Sequence, residues 1–305
     1  HSFASLADAV EFAKAGDVIT LIRDITASDI ITIDKAITLD GNGKTLTSTA
    51  ARAINVNTEG DVTIKNLIVD ADNCEEFAIV TNNAGNTRLV DCDIEYKRTF
   101  VAQNIWYALY VPFEISIDAE FLENYDVAEF TGLNVYDNSN MSMSVQFVET
   151  GYLAANTPYL IRVKNEEALT LSINVDDAEF DAEPKSFVDG TITASFSGTY
   201  TETVASEIKG AYAMSGGLFR KAAAPEQILK PFRFYLMLTD SSTSGQALSL
   251  RSVAISFDNE QDGTTAIEKT QTSEETIVIY DLTGRRVMEP QEGEIYIING
   301  KKVLF

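Results

Sequence analysis

The chain has one histidine, two cysteines and one tryptophan among 305 residues, and these shortages close off several kinds of chemistry. Hydrolysis through an activated serine or cysteine needs a base, usually histidine, and the only candidate is His1 at the chain end, so no catalytic triad is expected. Zinc sites built from histidine and cysteine clusters fail on the same count. No glycine-rich phosphate loop follows a strand and opens a helix, and Gly41, Asn42, Gly43 and Lys44 read as a turn between strands. Long apolar runs are missing too. The longest uncharged stretch, Thr99 to Phe113, is too short and too polar to span a bilayer. Basic residues are scarce, 23 against 46 acidic, for a net charge of −23. Such a surface repels phosphate backbones and anionic bilayers, so neither nucleic acid nor direct membrane insertion is expected. Cys74 and Cys92 admit either a disulfide or two small buried thiols. The chain opens on His1, Ser2 and Phe3 without the basic end and apolar run of a signal peptide, as a mature or trimmed chain would.

Apolar material is plentiful, 45% of residues, enough for more than one core. Between residues 31 and 95 it recurs at a fixed step. Ile54 returns as Ile79, Leu39, Ile64 and Leu89 keep the same 25-residue spacing, and Ile31 finds Val56. A period of this length marks stacked repeats that bury their apolar faces against one another. Short runs rich in Val, Ile and Thr at Val18 to Ile22, Ile30 to Ile33, Ile37 to Leu39, Ala53 to Val56, Val62 to Val69, Ala78 to Thr81 and Thr87 to Ile94 predict strands. Turn residues separate them, notably Asp40 to Gly43 and Asn82 to Gly85. Two or three strands per step fit the coil of a right-handed parallel β-helix. Ser5 to Ala15 predicts a helix capped by Ser5, with Leu6, Val10 and Ala13 on one face and Gly16 at its end. At the head of a stack such a helix reads as a cap, and the far end must be closed by the region after Thr99.

After Thr99 the pattern becomes period two. Met141, Met143, Val145 and Phe147, then Leu169, Leu171, Ile173 and Val175, then Ile192, Ala194 and Phe196, then Phe232, Phe234, Leu236 and Leu238 predict an antiparallel β-sandwich. The apolar phase slips between Leu250 and Val253, which predicts a bulge near Arg251 and Ser252. Residues 259–275 are polar and read as a linker. Ile277 to Tyr280 predicts a strand and Asp281 to Gly284 a turn. Ile295 to Ile298 and Lys301 to Phe305 predict a hairpin about Asn299 and Gly300. The expected organisation is all-β: a β-helix with cap helix over 1–99, a sandwich over 100–260, and a linker with a small strand module over 261–305.

Three resemblances bear on function. Tyr280 to Val287 (YDLTGRRV) and Tyr296 to Val303 (YIINGKKV) resemble the C-terminal sorting modules of Bacteroidetes surface and secreted proteins, which implies export to the cell surface or exterior. Trp106 to Phe113 (WYALYVPF), Asn156 to Val163 (NTPYLIRV), Gly198 to Tyr200 and Lys230 to Leu236 (KPFRFYL) resemble a β-domain of gut Bacteroides surface proteins commonly labelled cell-adhesion proteins. The first hundred residues look like pectate-lyase-type β-helices, a similarity of fold that carries no chemistry.

Carboxylates are abundant, so paired-acid glycoside hydrolysis stays open by residue count. A polysaccharide lyase would want a basic residue near calcium, and Lys65 and Arg88 fall at different points of the repeat. Asp70, Asp72 and Asn73, with Glu75 and Glu76 behind them, begin like a calcium loop, but the glycine and distal glutamate of an EF-hand are missing. A solvated turn accounts for them, and calcium near Asp70 and Asp72 stays open. Trp106, Ala108 and Tyr110 alternate with Tyr107, Leu109 and Val111, apolar on both sides, so a central buried strand is expected rather than a glycan platform. Arg220 and Lys221 are the one local basic spot of the middle region and read as a solvated loop. The reading is a non-catalytic, secreted or surface-displayed adhesion protein for a glycan or extracellular protein, with no cofactor and no assigned catalytic or metal residue. The alternatives are a carbohydrate-active enzyme or its remnant, and a structural spacer.

Overall fold

The computed structural model describes residues 1–82, 85–137, 139–181, 183–222, 224–243, 245–248 and 250–258, and the four tail strands given below. It is 53% strand and 8% helix, a mostly β protein with a mixed parallel sheet and a curled, half-barrel antiparallel sheet. Residues His1–Glu260 form one compact unit and Gln261–Phe305 another.

The cap helix runs from Leu6 to Phe12, and the Ser5 hydroxyl accepts from the Asp8 N–H at 3.1 Å. It ends a turn earlier than its sequence suggests. The Lys14 N–H is taken by the Asp17 carboxylate at 2.8 Å and Ala13 is already extended, so Ala13 reaches the core from outside the helix. Replacing Ser5 with alanine orphans one N–H and is expected to cost about 1 kcal/mol, measured as a lower midpoint in urea unfolding.

Beyond the helix the chain stacks strands in parallel. One sheet runs Val18–Thr20, Thr38–Ser48, Val62–Asp70, Asp93–Thr99, and a second runs Ile31–Ile33, Ile54–Val56, Ile79–Thr81. Leu39 faces Ile64 and Ile64 faces Leu89, while Ile54 faces Ile79, each pair 25 residues apart. All five side chains are buried, which is why the apolar step shows in the sequence. The step is not uniform, however. Ile31 faces Ile54 and Ile33 faces Val56, so the expected pairing of Ile31 with Val56 is two residues out. The difference lies before the next pairs, where four residues, Asp34 to Ile37, stand against six, Asn57 to Val62. The register then shifts again at a corner. Between the Asp40–Lys65 and Lys44–Leu67 pairs the earlier coil spends Gly41, Asn42 and Gly43 where the later one spends Asn66 alone. A shift of two keeps every side chain on its own face, so the core survives it.

That corner recurs. Asn42, Asn66 and Asp91 all take left-handed backbone, at φ 52°, 50° and 51°. Asn and Asp tolerate this conformation better than other side-chain-bearing residues. The corners are bound together as well, since the Asp40 carboxylate accepts from the Asn42 N–H at 2.9 Å and the Asn66 amide at 3.0 Å. At another corner the Asn82 amide donates to Asn57 at 3.0 Å. The turn expected over Asp40 to Gly43 is therefore a bend within a continuing strand. Of the turn expected over Asn82 to Gly85, Asn83 and Ala84 lie outside the described residues.

The middle region closes the stack. Thr170–Val175 pairs antiparallel with Asp93–Thr99, and Ala178–Phe180 pairs with Thr87–Val90. The alternating segment around Leu171 thus belongs to the first sheet and not to a sandwich. Apart from two short pairs, Ile115–Ile117 with Gly151–Leu153 and Thr203–Val204 with Ile228–Leu229, the remaining strands of this region form one eleven-stranded sheet, where two facing sheets were expected. Its order is Trp106–Leu109, Tyr159–Val163, Tyr125–Asp137, Asn140–Phe147, Ser252–Phe257, Leu218–Lys221, Tyr212–Ser215, Arg233–Asp240, Ile192–Thr199, Lys185–Asp189, with Gln246–Ala247 beside Arg233–Asp240.

The last strand explains the difference. Ser252–Phe257 inserts between Asn140–Phe147, to which it is parallel, and Leu218–Lys221, joining what would be two sheets into one. The expected bulge is this change of partners: Gln246–Ala247 pairs with Thr239 and Asp240, and the chain then crosses to its new neighbours. The Tyr212 hydroxyl, which accepts from the Leu250 N–H at 2.8 Å, holds the crossing. The sheet curls until Asp189 on one edge strand accepts from the Val135 N–H at 2.8 Å. Inside the curl Phe130 lies 4.2 Å from Phe196 and 5.7 Å from Phe234.

In the tail, Arg286–Val287, Ile279–Tyr280, Ile295–Ile298 and Lys301–Leu304 form a four-stranded antiparallel sheet in that order. Ile298 faces Lys301, so the hairpin has two residues between its strands, as its sequence requires. The linker 259–275, Ile277, the turn Asp281 to Gly284, and the loop residues Asn299 and Gly300 lie outside the described residues.

Candidate functional site

Period-two burial carries a cation into the core. In Asp93–Thr99 the inward positions are Ile94, Tyr96 and Arg98, and Arg98 is 2% exposed. Its guanidinium donates to the Ala108 carbonyl at 2.7 Å and lies 4.7 Å from the Phe100 ring centroid. Burial, and next the neighbouring Arg233, pull its pKa down to about 10. Arg233 is held by two hydrogen bonds to the Glu76 carboxylate, at 2.8 and 2.5 Å. Burial raises the Glu76 carboxyl, but the Arg233 bonds and charge outweigh it and the group sits below its ordinary value. This pair joins the first sheet to the curled one across 157 residues of sequence. Phe77, Phe113 and Phe232, all buried, pack on one another and on Tyr96 beside this cluster, which joins the two sheets.

The residues singled out in the sequence disperse. His1 packs edge-on against Phe12 at 4.8 Å. Cys74 and Cys92 are both free thiols, half-buried and buried, and burial raises the pKa of each. Lys65 pairs with Asp40 at 3.3 Å and Arg88 with Glu179 at 2.9 Å, so each is committed to its own neighbour. Trp106 is buried, yet its strand ends the sheet order instead of lying at its centre. Phe147 and Phe257 pack against Trp106, with ring centroids 6.1 and 5.5 Å away. Arg162 lies 4.6 Å over its ring and is itself bound to Asp126. No face of Trp106 is left for sugar stacking.

Three hollows stand out among the described residues. One of about 250 Å³ is lined by Asp70, Asp72, Glu76, Asp93, Glu95 and Lys97 among others. No group of three or more His, Cys, Asp or Glu side chains among the described residues is arranged to hold a metal. A second, of about 460 Å³, lies between the start of the cap helix and residues 23–31.

The largest, about 590 Å³, is on the curled sheet. Its walls are two segments zipped together, Thr203–Val204 against Ile228–Leu229, continued by Ala205 N–H to Gln227 O at 2.8 Å and Ser206 N–H to Pro225 O at 2.9 Å. Its floor includes Ala211, Ala213 and Met214. Arg220 and Lys221 line it from the strand Leu218–Lys221, so the expected solvated loop is a strand and a cavity wall. Lys209 joins them from the turn before Tyr212. Lys221 is pinned by a bond to the Leu248 carbonyl at 3.0 Å and lies 5.0 Å over the Tyr212 ring. No aspartate or glutamate is among its described lining residues. Glu207, the nearest in sequence to Lys209, accepts instead from the Val204 N–H at 3.2 Å. Sequence reading found the Arg220–Lys221 pair but not Lys209, whose arrival depends on a hairpin that brings the turn back beside that strand. No family model matches the chain, and comparison with curated proteins and with solved structures finds no match.

Proposed function

We propose that the protein is a secreted or surface-displayed binding protein of the adhesion kind, contacting a glycan or an extracellular protein. In this reading residues 1–99 form a short right-handed parallel β-helix, a rigid support, and the tail serves as an export module of the Bacteroidetes type. The 25-residue facing pairs and the repeated left-handed corners support the β-helix. The observation that carries the functional reading is the lining of the 590 Å³ cavity, three cations and apolar side chains with no described carboxylate. Such a wall holds a ligand by charge and contact area, and supplies no acid and base to cleave one.

The test is binding of the full chain to a panel of glycans and extracellular matrix proteins, with product analysis on acidic polysaccharides alongside. Saturable binding to a panel member without cleavage is expected. Binding to none of them, or release of new reducing or unsaturated ends, overturns the reading.

A further inference from the structure

The charge of the 590 Å³ cavity runs against the rest of the molecule. The chain has twice as many acids as bases, yet the described lining here holds Lys209, Arg220 and Lys221 and no acid. Lys209 and Arg220 are exposed, and neither side chain has a hydrogen bond or ion pair to a described residue. The same lining holds apolar side chains, Ile208, Met214, Ile228 and Leu229, with Ile228 53% exposed. Aromatic side chains, the usual platform for a sugar ring, are absent from the described lining. Cations and aliphatic surface in one lining select a ligand that has both an anionic and an apolar part.

We infer that this cavity binds a small amphipathic organic anion, a carboxylate or sulfonate joined to an apolar body. The inference rests on the binding reading above and names the ligand class of its cavity. Pockets of 300–1,000 Å³ enclose most of a drug-sized molecule, and 590 Å³ lies within that range. The anionic head meets Lys209 and Arg220, while the Lys221 ammonium stays on the Leu248 carbonyl and the Tyr212 ring, on the other face of the strand from Arg220. The apolar body displaces water from Ile208, Met214, Ile228 and Leu229, whose burial supplies the hydrophobic part of the affinity. A neutral amphiphile gains only the second contribution and an acidic sugar only the first.

The experiment is a fluorescence titration of the full chain with anilinonaphthalene sulfonate, followed by displacement with octanoate, octanol or glucuronate. One saturable site is expected, emptied by octanoate and not by octanol or glucuronate at equal concentration. The double variant Lys209→Glu with Arg220→Glu is expected to raise the half-displacing octanoate concentration roughly tenfold or more. Ile228→Ser is expected to raise it by a smaller factor. Both changes fall on exposed positions, so thermal unfolding should match the parent chain.

Absence of a saturable site, equal displacement by octanol, or indifference to the charge reversal overturns the inference. Displacement by glucuronate alone overturns the ligand class and leaves the binding reading standing. A chain that takes octanoate but binds nothing in the glycan and matrix panel supports the cavity's ligand class and refutes adhesion.

Discussion

Replacing Glu76 with glutamine is expected to lower the unfolding free energy by about 3–5 kcal/mol, because it leaves two largely buried guanidinium groups without the carboxylate beside them. Glu76 and Arg233 are each 15% exposed along the side chain, and Arg98 is 2% exposed. The carboxylate accepts both Arg233 bonds and lowers the energy of the Arg98 charge from nearby. Glutamine keeps the shape and offers one acceptor oxygen, so a loss of that size reports charge and not a cavity. The pH dependence gives an independent check. The folded Glu76 carboxyl lies below its ordinary value of 4.5, so its contribution is complete above that value. It is lost as pH falls through the lower folded value. Urea midpoints measured from pH 7 down to pH 3 should fall more steeply for the parent chain than for Glu76→Gln, and the two should converge in acid. Parallel curves would refute the assignment.

Gly198→Ala is expected to destabilise by about 3 kcal/mol, at the upper end for overpacking a core. An added Cβ would stand 1.9 Å from Tyr110 Cε1. The ring has nowhere to go: Tyr110 is 1% exposed, its hydroxyl donates to the Asp181 carbonyl at 3.0 Å, and Tyr200 packs against it at 5.5 Å between centroids. Gly132 in the same sheet is the control, since a Cβ there meets only Ser144 Cβ at 3.7 Å. Gly132→Ala should change stability by less than about 0.5 kcal/mol in the same urea titration. Equal effects at the two glycines would mean that backbone freedom, and not the tyrosine ring, governs both.

Much of the stacked region was legible because its physics is local. Leu39, Ile64 and Leu89 repeat since each must fill the same place in a coil, and Ser5 caps a helix through a contact three residues away. The exact register was not legible. Segment lengths between the pairs set it, Asp34 to Ile37 against Asn57 to Val62 and Gly41 to Gly43 against Asn66 alone, and the sequence signal available was the recurrence of Asn42, Asn66 and Asp91 as corner residues. The curled sheet was harder. Period two announces strands but names no partner, so the segment around Leu171 could not be assigned to the first sheet, nor Ser252–Phe257 to the seam of the second. The cavity was only half visible: Arg220 and Lys221 stand adjacent in the chain, while Lys209 reaches them through folding.

The amino-acid sequence by itself determined that the protein is mostly β, that its first hundred residues stack at a recurring step, and that its surface is strongly acidic. These follow from side-chain periodicity and charge, which each residue carries wherever it lies. Only the tertiary structure decided that one curled sheet replaces two, that Arg98 and Glu76 meet with Arg233, and that Lys209 and Arg220 line one hollow. Those outcomes depend on pairings between segments far apart in the chain. A strand's hydrogen-bonding edge is nearly the same for every partner, so the choice is made by the packing of the whole.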